Sequence, residues 1–252
     1  MIHEGARSVY LKAPGKREFF LIHGYTGSVT DFNELAEILN KKFNATVRII
    51  RLEGHGTTVR DLDNLDYKDF YRQVENELKK DLAEGKEIVL GGVSFGSFLA
   101  MSFAAKYPIR GVFTISLPYE LHPMLNMGTA KIIRFLGKYW KKKMSCEEKK
   151  LREKAYYYED SHINCISILK KSKDMLQNDL ENITCPLLTI LSKKDTVMRR
   201  GSVLIPHEKA GSKIKDRLIL DTKWHNPLYS EKNEETCKAI VDFFEKHKIF
   251  DR

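Results

Sequence analysis

Gly92-Val93-Ser94-Phe95-Gly96 sits where a run of strand formers, Ile88-Val89-Leu90, hands over to a helical stretch beginning at Ser97. A serine between two glycines at such a joint marks a tight, strained turn, because only residues without side chains let strand and helix come so close. The strand must be buried and the helix must fold back over it, which restricts the chain to a framework of parallel strands crossed by helices. By composition alone such a pentapeptide arises in about one chain in ten of this length. Its weight therefore comes from the flanking strand and helix.

The same alternation runs along the chain. Residues 19–22 are a short apolar run ending at His23-Gly24, and 45–52 a β-branched run ending at Gly54-His55-Gly56. Both read as buried parallel strands with glycine-rich exits. Between them Thr30-Asp31 is placed to cap a helix in which Phe32, Leu35, Ala36 and Leu39 recur at helical spacing. Asp66 opens another helix carrying Phe70, Val74, Leu78 and Leu82, Gly85 stops it, and 87–93 form the strand before Ser94. A helix over 97–106 ends before Pro108, and 111–116 is the next strand. The expected fold class is α/β, with a mostly parallel, doubly wound sheet.

After Leu117-Pro118 the rhythm breaks. Residues 119–183 contain no convincing strand; Ile132, Ile133, Leu136 and Trp140, then Ile166, Leu169, Leu176 and Leu180, fall at helical spacing. This segment is expected to be a small helical cap inserted into a core made of 1–118 and 184–252. In the second part of that core the rhythm resumes, with strands at 186–191 and 216–220 and a closing helix over 234–246.

Composition narrows the function classes. With 252 residues, 42% hydrophobic and 31% charged, the chain fits one large globular unit rather than a disordered or membrane protein. The N-terminus lacks the apolar core of a signal peptide, and no apolar run approaches the ~20 residues of a bilayer span. A cytoplasmic protein without an integral membrane segment is expected. Cys146, Cys165, Cys185 and Cys237 are scattered, with no metal-ligand spacing, and read as reduced structural thiols. The net charge of +9 gathers near Lys138, Lys141, Lys142, Lys143, Lys149, Lys150, Arg152 and Lys154, diluted by Glu147, Glu148 and Glu153. Without a nucleic-acid module this reads as a solvated face; nucleic acid is not an expected partner, while weak surface contact with anionic lipid stays open. A monomer and a dimer are equally compatible with the sequence.

A serine hydroxyl attacks only when a base accepts its proton and a carboxylate holds that base in the right tautomer. With the serine on a strand-to-helix turn, the acid and then the base follow in chain order. Of eight histidines, His225 lies after the last strand and before the final helix; His207 lies between two strands and His247 in the tail of the final helix. Asp195 stands in the loop after the strand at 186–191, a better acid position than Asp179 or Asp221. The loop His23-Gly24-Tyr25-Thr26-Gly27 follows the first parallel strand, so the backbone N–H groups of Tyr25 and Phe95 are the expected oxyanion donors. His23 is expected to brace that loop and His55 to serve its own turn.

Leu-Ile-His-Gly-Tyr-Thr-Gly (21–27), Glu-Gly-His-Gly (53–56), Gly-Val-Ser-Phe-Gly (92–96), Asp195 and His225 together resemble the small bacterial carboxylesterases and monoacylglycerol lipases of the α/β-hydrolase superfamily. The resemblance runs over nearly the whole chain. It implies the α/β-hydrolase fold, hydrolysis of short- to medium-chain acyl esters or monoacylglycerols through an acyl-enzyme, no cofactor or metal, and a cap that forms the acyl pocket. Members commonly carry glycine just before the catalytic histidine, whereas this chain has Trp224, with Pro227 two residues after His225. That departure bears on the alcohol side of the site. Leu121, Met124, Leu125, Ile132 and Phe135 are candidates to touch the acyl chain, though core packing explains them as well. A thioester or small-peptide amide substrate is the alternative within enzymes, and a catalytically inactive binding protein the alternative outside them.

Overall fold

The computed structural model describes residues 1–122, 139–141, 156–199 and 201–251. Strands β1 (Val9–Leu11), β2 (Arg17–Ile22), β3 (Thr46–Ile50), β4 (Glu87–Val93), β5 (Gly111–Ile115), β8 (Leu187–Ser192) and β9 (Lys215–Leu220) form one sheet in the order β1-β3-β2-β4-β5-β8-β9. Every neighbouring pair is parallel except β1 and β3. The strands with continuous apolar runs are those covered on both faces. Alternate residues then go to opposite sides: Phe20, Ile22, Ile88 and Leu90 to one core, Phe19, Leu21, Val89 and Val93 to the other.

The first core is closed by α2 (Tyr67–Ala83), α3 (Phe95–Lys106) and α4 (Asn164–Leu176); the second by α1 (Asn33–Phe43) and α6 (Asn233–Lys246). A short helix, α5 (Leu204–Lys209), joins β8 to β9. α2 presents Phe70, Val74 and Leu78 inward; it is capped by the Asp66 side chain on the N–H of Lys68, and Gly85 at φ +73° takes the chain out. α3 is buried all round, lying between the sheet and its neighbours, so it shows no amphipathic stripe.

Three features differ from the sequence expectation. Thr30-Asp31 do not cap α1; Val29–Phe32 form a 3-10 turn ahead of it, and the Asp31 carboxylate turns inward. β1 pairs antiparallel on the sheet edge, three half-exposed residues too short to leave a periodic signal. Within 119–183, whose pattern predicts no strand, β6 (Tyr139–Lys141) and β7 (Asp160–His162) pair antiparallel. That pair is anchored on the core rather than by its own hydrophobicity: His162 Nε2 lies 3.1 Å from Asp63, which also accepts a hydrogen bond from the Tyr139 hydroxyl. α4, expected within the inserted segment, packs on α2 and α3 through Ile168, Leu169 and Leu176. Among the described residues no helix is long and apolar enough to cross a membrane, and Cys165, Cys185 and Cys237 are free thiols; Cys146 lies outside them.

Candidate active site

β4 ends at Val93, and Ser94 turns the chain into α3 at φ +53°, ψ −116°, a region that L residues rarely adopt. Both flanking glycines are required by contact. A Cβ on Gly92 would lie 2.4 Å from the Gly96 and Ser97 backbone, and one on Gly96 would lie 1.9 Å from the Ile22 carbonyl oxygen. The turn is pinned by Ser94 N–H to Ile115 O (2.8 Å) and by the Ser97 hydroxyl, which donates to Gly92 O (2.8 Å) and Ile115 O (3.2 Å). Ser94 is thus held half-exposed at the N-terminus of α3, where the helix dipole favours negative charge.

Asp195, in the loop after β8, and His225, in the loop after β9, are brought together: His225 Nδ1 donates to Asp195 Oδ2 at 2.6 Å. The other oxygen of Asp195 accepts from the N–H of Val197 at 2.7 Å. The Asp195 side chain is only 2% exposed against 25% for that of His225, so the carboxylate is the more shielded partner. With Nδ1 engaged as donor, the neutral ring offers Nε2 as its acceptor. The rival residues stand elsewhere. Asp221 is exposed and paired with Lys194 Nζ at 2.8 Å, which holds its carboxyl below the usual range. Asp179 is exposed before a 3-10 turn, His207 is packed on Thr189 Oγ1 with burial lowering its basicity, and His247 lies against Phe243.

The loop after β2 is held at nearly every peptide. His23, fully buried, accepts the Leu52 N–H at Nε2 (3.0 Å) and donates from Nδ1 to Gly24 O (2.9 Å); burial pushes its pKa down to about 4, so it stays neutral. His55 accepts the Thr26 N–H at Nε2 (3.0 Å) and donates from Nδ1 to Glu53 O (2.9 Å). Thr26 O accepts from Tyr158 N, and Gly24 O also accepts from Gly27 N. Among the described residues neither Tyr25 nor Phe95 has a protein acceptor for its N–H. A Cβ on Gly24 would sit 3.3 Å from that of Ser94, so this loop abuts the serine. The Tyr25 ring is wedged edge-on against His55, Phe70 and Phe95, and burial drives its hydroxyl pKa upward.

Two further residues take part. His55 braces the Tyr25 loop in addition to its own turn, and Asp31 accepts the Gly24 N–H at 3.0 Å. No periodicity announces either, since a Gly-His-Gly turn and a Thr-Asp pair both have local explanations. Trp224 is half-buried beside His225, and Pro227 opens a 3-10 turn capped by Asn226. Leu121 is bridged to Met198, while Met124, Leu125, Ile132 and Phe135 lie outside the described residues. None of the described side chains groups as a metal-ligand set.

The chain is 25% identical over 230 residues to a thermostable monoacylglycerol lipase of Bacillus sp. (strain H-257), covering 90% of each chain. It is 20% identical over 235 residues to a carboxylesterase of Bacillus subtilis (strain 168), covering 92% of this chain and 94% of that one. Among solved structures it superposes on a metagenome-derived lipolytic enzyme of the LipS and LipT pair with a TM-score of 0.85 at 21% identity (98% and 100% covered). The Paleococcus ferrophilus monoacylglycerol lipase gives 0.78 at 17% (95% and 98%). The profile of the serine aminopeptidase S33 family matches residues 13–233. The chain therefore belongs to the S33 family of α/β hydrolases, as an esterase- and lipase-like member.

Proposed function

We propose that the protein is a serine carboxylesterase acting on short- to medium-chain acyl esters, monoacylglycerols included. Ser94 Oγ attacks the ester carbonyl while His225 Nε2 takes its proton, and Asp195 holds the imidazolium that forms. The N–H groups of Tyr25 and Phe95 receive the oxyanion. Collapse of the tetrahedral adduct breaks the bond to the alcohol oxygen, which leaves with the proton from His225. Water, deprotonated by the same ring, then attacks the acyl-enzyme and releases the acid and Ser94. Residues 119–183 act as the cap over this site, with Trp224 bordering the alcohol side.

The observation carrying this reading is the 2.6 Å contact of a shielded Asp195 with His225, on the same end of the sheet as a serine held at positive φ beside two uncommitted backbone donors. The two curated relatives, a monoacylglycerol lipase and a carboxylesterase, favour an oxygen ester over a thioester or an amide. Measuring kcat/KM across acyl lengths, glycerol esters, thioesters and aminoacyl amides tests it: the highest values are expected for oxygen esters of short to medium chain. A flat, near-background profile would instead favour an inactive binding protein.

A further inference from the structure

The loop carrying His225 leaves the sheet at its edge strand β9, whereas the loop carrying Tyr25 leaves from β2; β4, β5 and β8 stand between them. Two loops so far apart need a cross-tie if base and oxyanion donors are to keep one geometry around Ser94. The buried Asp31 carboxylate supplies it. Its Oδ2 accepts the Gly24 N–H at 3.0 Å and its Oδ1 accepts from Asn226 Nδ2 at 3.3 Å, which also reaches the Asp31 carbonyl at 3.4 Å. Asn226 cannot turn its amide the other way without loss, because its Oδ1 accepts the Leu228 N–H at 3.1 Å. A second strut lies alongside, from the Tyr229 hydroxyl to Thr30 Oγ1 at 3.1 Å.

The two ends of this tie touch the chemistry. Gly24 N–H is one peptide from the Tyr25 N–H, and the point where a Gly24 Cβ would sit lies 3.3 Å from Ser94 Cβ and 3.7 Å from Asp31 Oδ2. Asn226 is the residue after His225. Both partners are nearly fully buried, where charge-assisted hydrogen bonds are strong and poorly replaced by water. We infer that Asp31 and Asn226 are a positioning pair that holds the oxyanion loop and the base loop in register across the sheet; this rests on the reading of Ser94 and His225 as nucleophile and base.

The pair can be tested by exchange. Asp31→Asn sets amide against amide and Asn226→Asp carboxylate against carboxylate, whereas the double exchange restores one donor facing one acceptor and leaves acceptors for Gly24 and Leu228. With a p-nitrophenyl ester each single change should lower kcat by about 10- to 100-fold, since sub-ångström misplacement of reacting groups costs that much, with KM within about threefold. Fluorophosphonate labelling of Ser94 should slow in parallel, and the double exchange should recover most of the lost kcat. Asn226→Ala, which buries no new charge, should show the same loss of kcat if either exchange fails to fold. Full activity in the single variants, or a double variant whose loss is the product of the two, overturns the pair. A wild-type protein that neither turns over esters nor labels at Ser94 overturns the hydrolase reading itself, and the pair with it.

Discussion

Glu18 lies on β2 at the opposite end of the strand from the site, fully buried between Thr46 of β3 and Ile88 of β4. Its carboxyl faces Asp81, and neither oxygen makes a well-formed hydrogen bond. Lys86 and Arg48 offset this only in part, since the Arg48 guanidinium is engaged by Asp81, at 2.7 and 2.9 Å from its two oxygens, and by Glu77. Burial first, and Asp81 second, push the Glu18 pKa up from 4.5 to about 8, which favours a protonated Glu18 at neutral pH. A folded-state pKa above the unfolded one means that the folded protein binds the extra proton. Stability from this group is therefore complete below pH 4.5 and is lost as pH rises through about 8.

Glu18→Gln removes the titration. Taking 4.5 and about 8 as the unfolded and folded values, the wild type loses relative to the variant about 1 kcal/mol at pH 5 and about 4 kcal/mol at pH 8. Any fixed packing cost of glutamine cancels in the difference between the two pH values. Thermal melts at pH 5 and pH 8 should therefore show the variant gaining on the wild type by roughly 6–12 °C between them, at 2–4 °C per kcal/mol for a chain of this size. Parallel melting curves for the two proteins across that range would refute the argument that Glu18 is held protonated.

Other consequences are sharper but simpler. Gly96→Ala places a Cβ 1.9 Å from the Ile22 carbonyl and should destabilise by at least about 3 kcal/mol, read as a fall in the urea midpoint; an unchanged midpoint would mean that strand and helix do not meet so closely. Asp195→Asn should cost roughly ten-thousandfold in kcat, because the imidazole tautomer is lost. Asp221→Asn breaks only an exposed pair with Lys194 and should stay within about twofold. Reversal of that order in a p-nitrophenyl ester assay would transfer the acid role to Asp221.

Much of this architecture is legible in the residues because burial writes it locally. Ile88-Val89-Leu90 and the glycines after them fix β4 to the residue, since a strand covered on both faces must be apolar throughout and the turn after it cannot tolerate side chains. That Asp195 meets His225 is foreshadowed by chain order alone, each following a strand at the same end of the sheet. Asp31 is not legible in that way: beside Thr30 it has a sufficient local explanation as a helix cap, and its real partner is 195 positions away. β1, β6 and β7 escape for a related reason, each being three residues held by cross-strand pairing and side-chain anchors rather than by its own pattern.

Every step of the proposed reaction depends on Ser94 as the nucleophile. A fluorophosphonate probe should modify one serine, and peptide mass spectrometry should place the adduct on Ser94, with labelling and ester turnover both falling to background in Ser94→Ala, a loss of about a million-fold in kcat. Labelling of a different serine, or ester turnover that survives in Ser94→Ala, would contradict it.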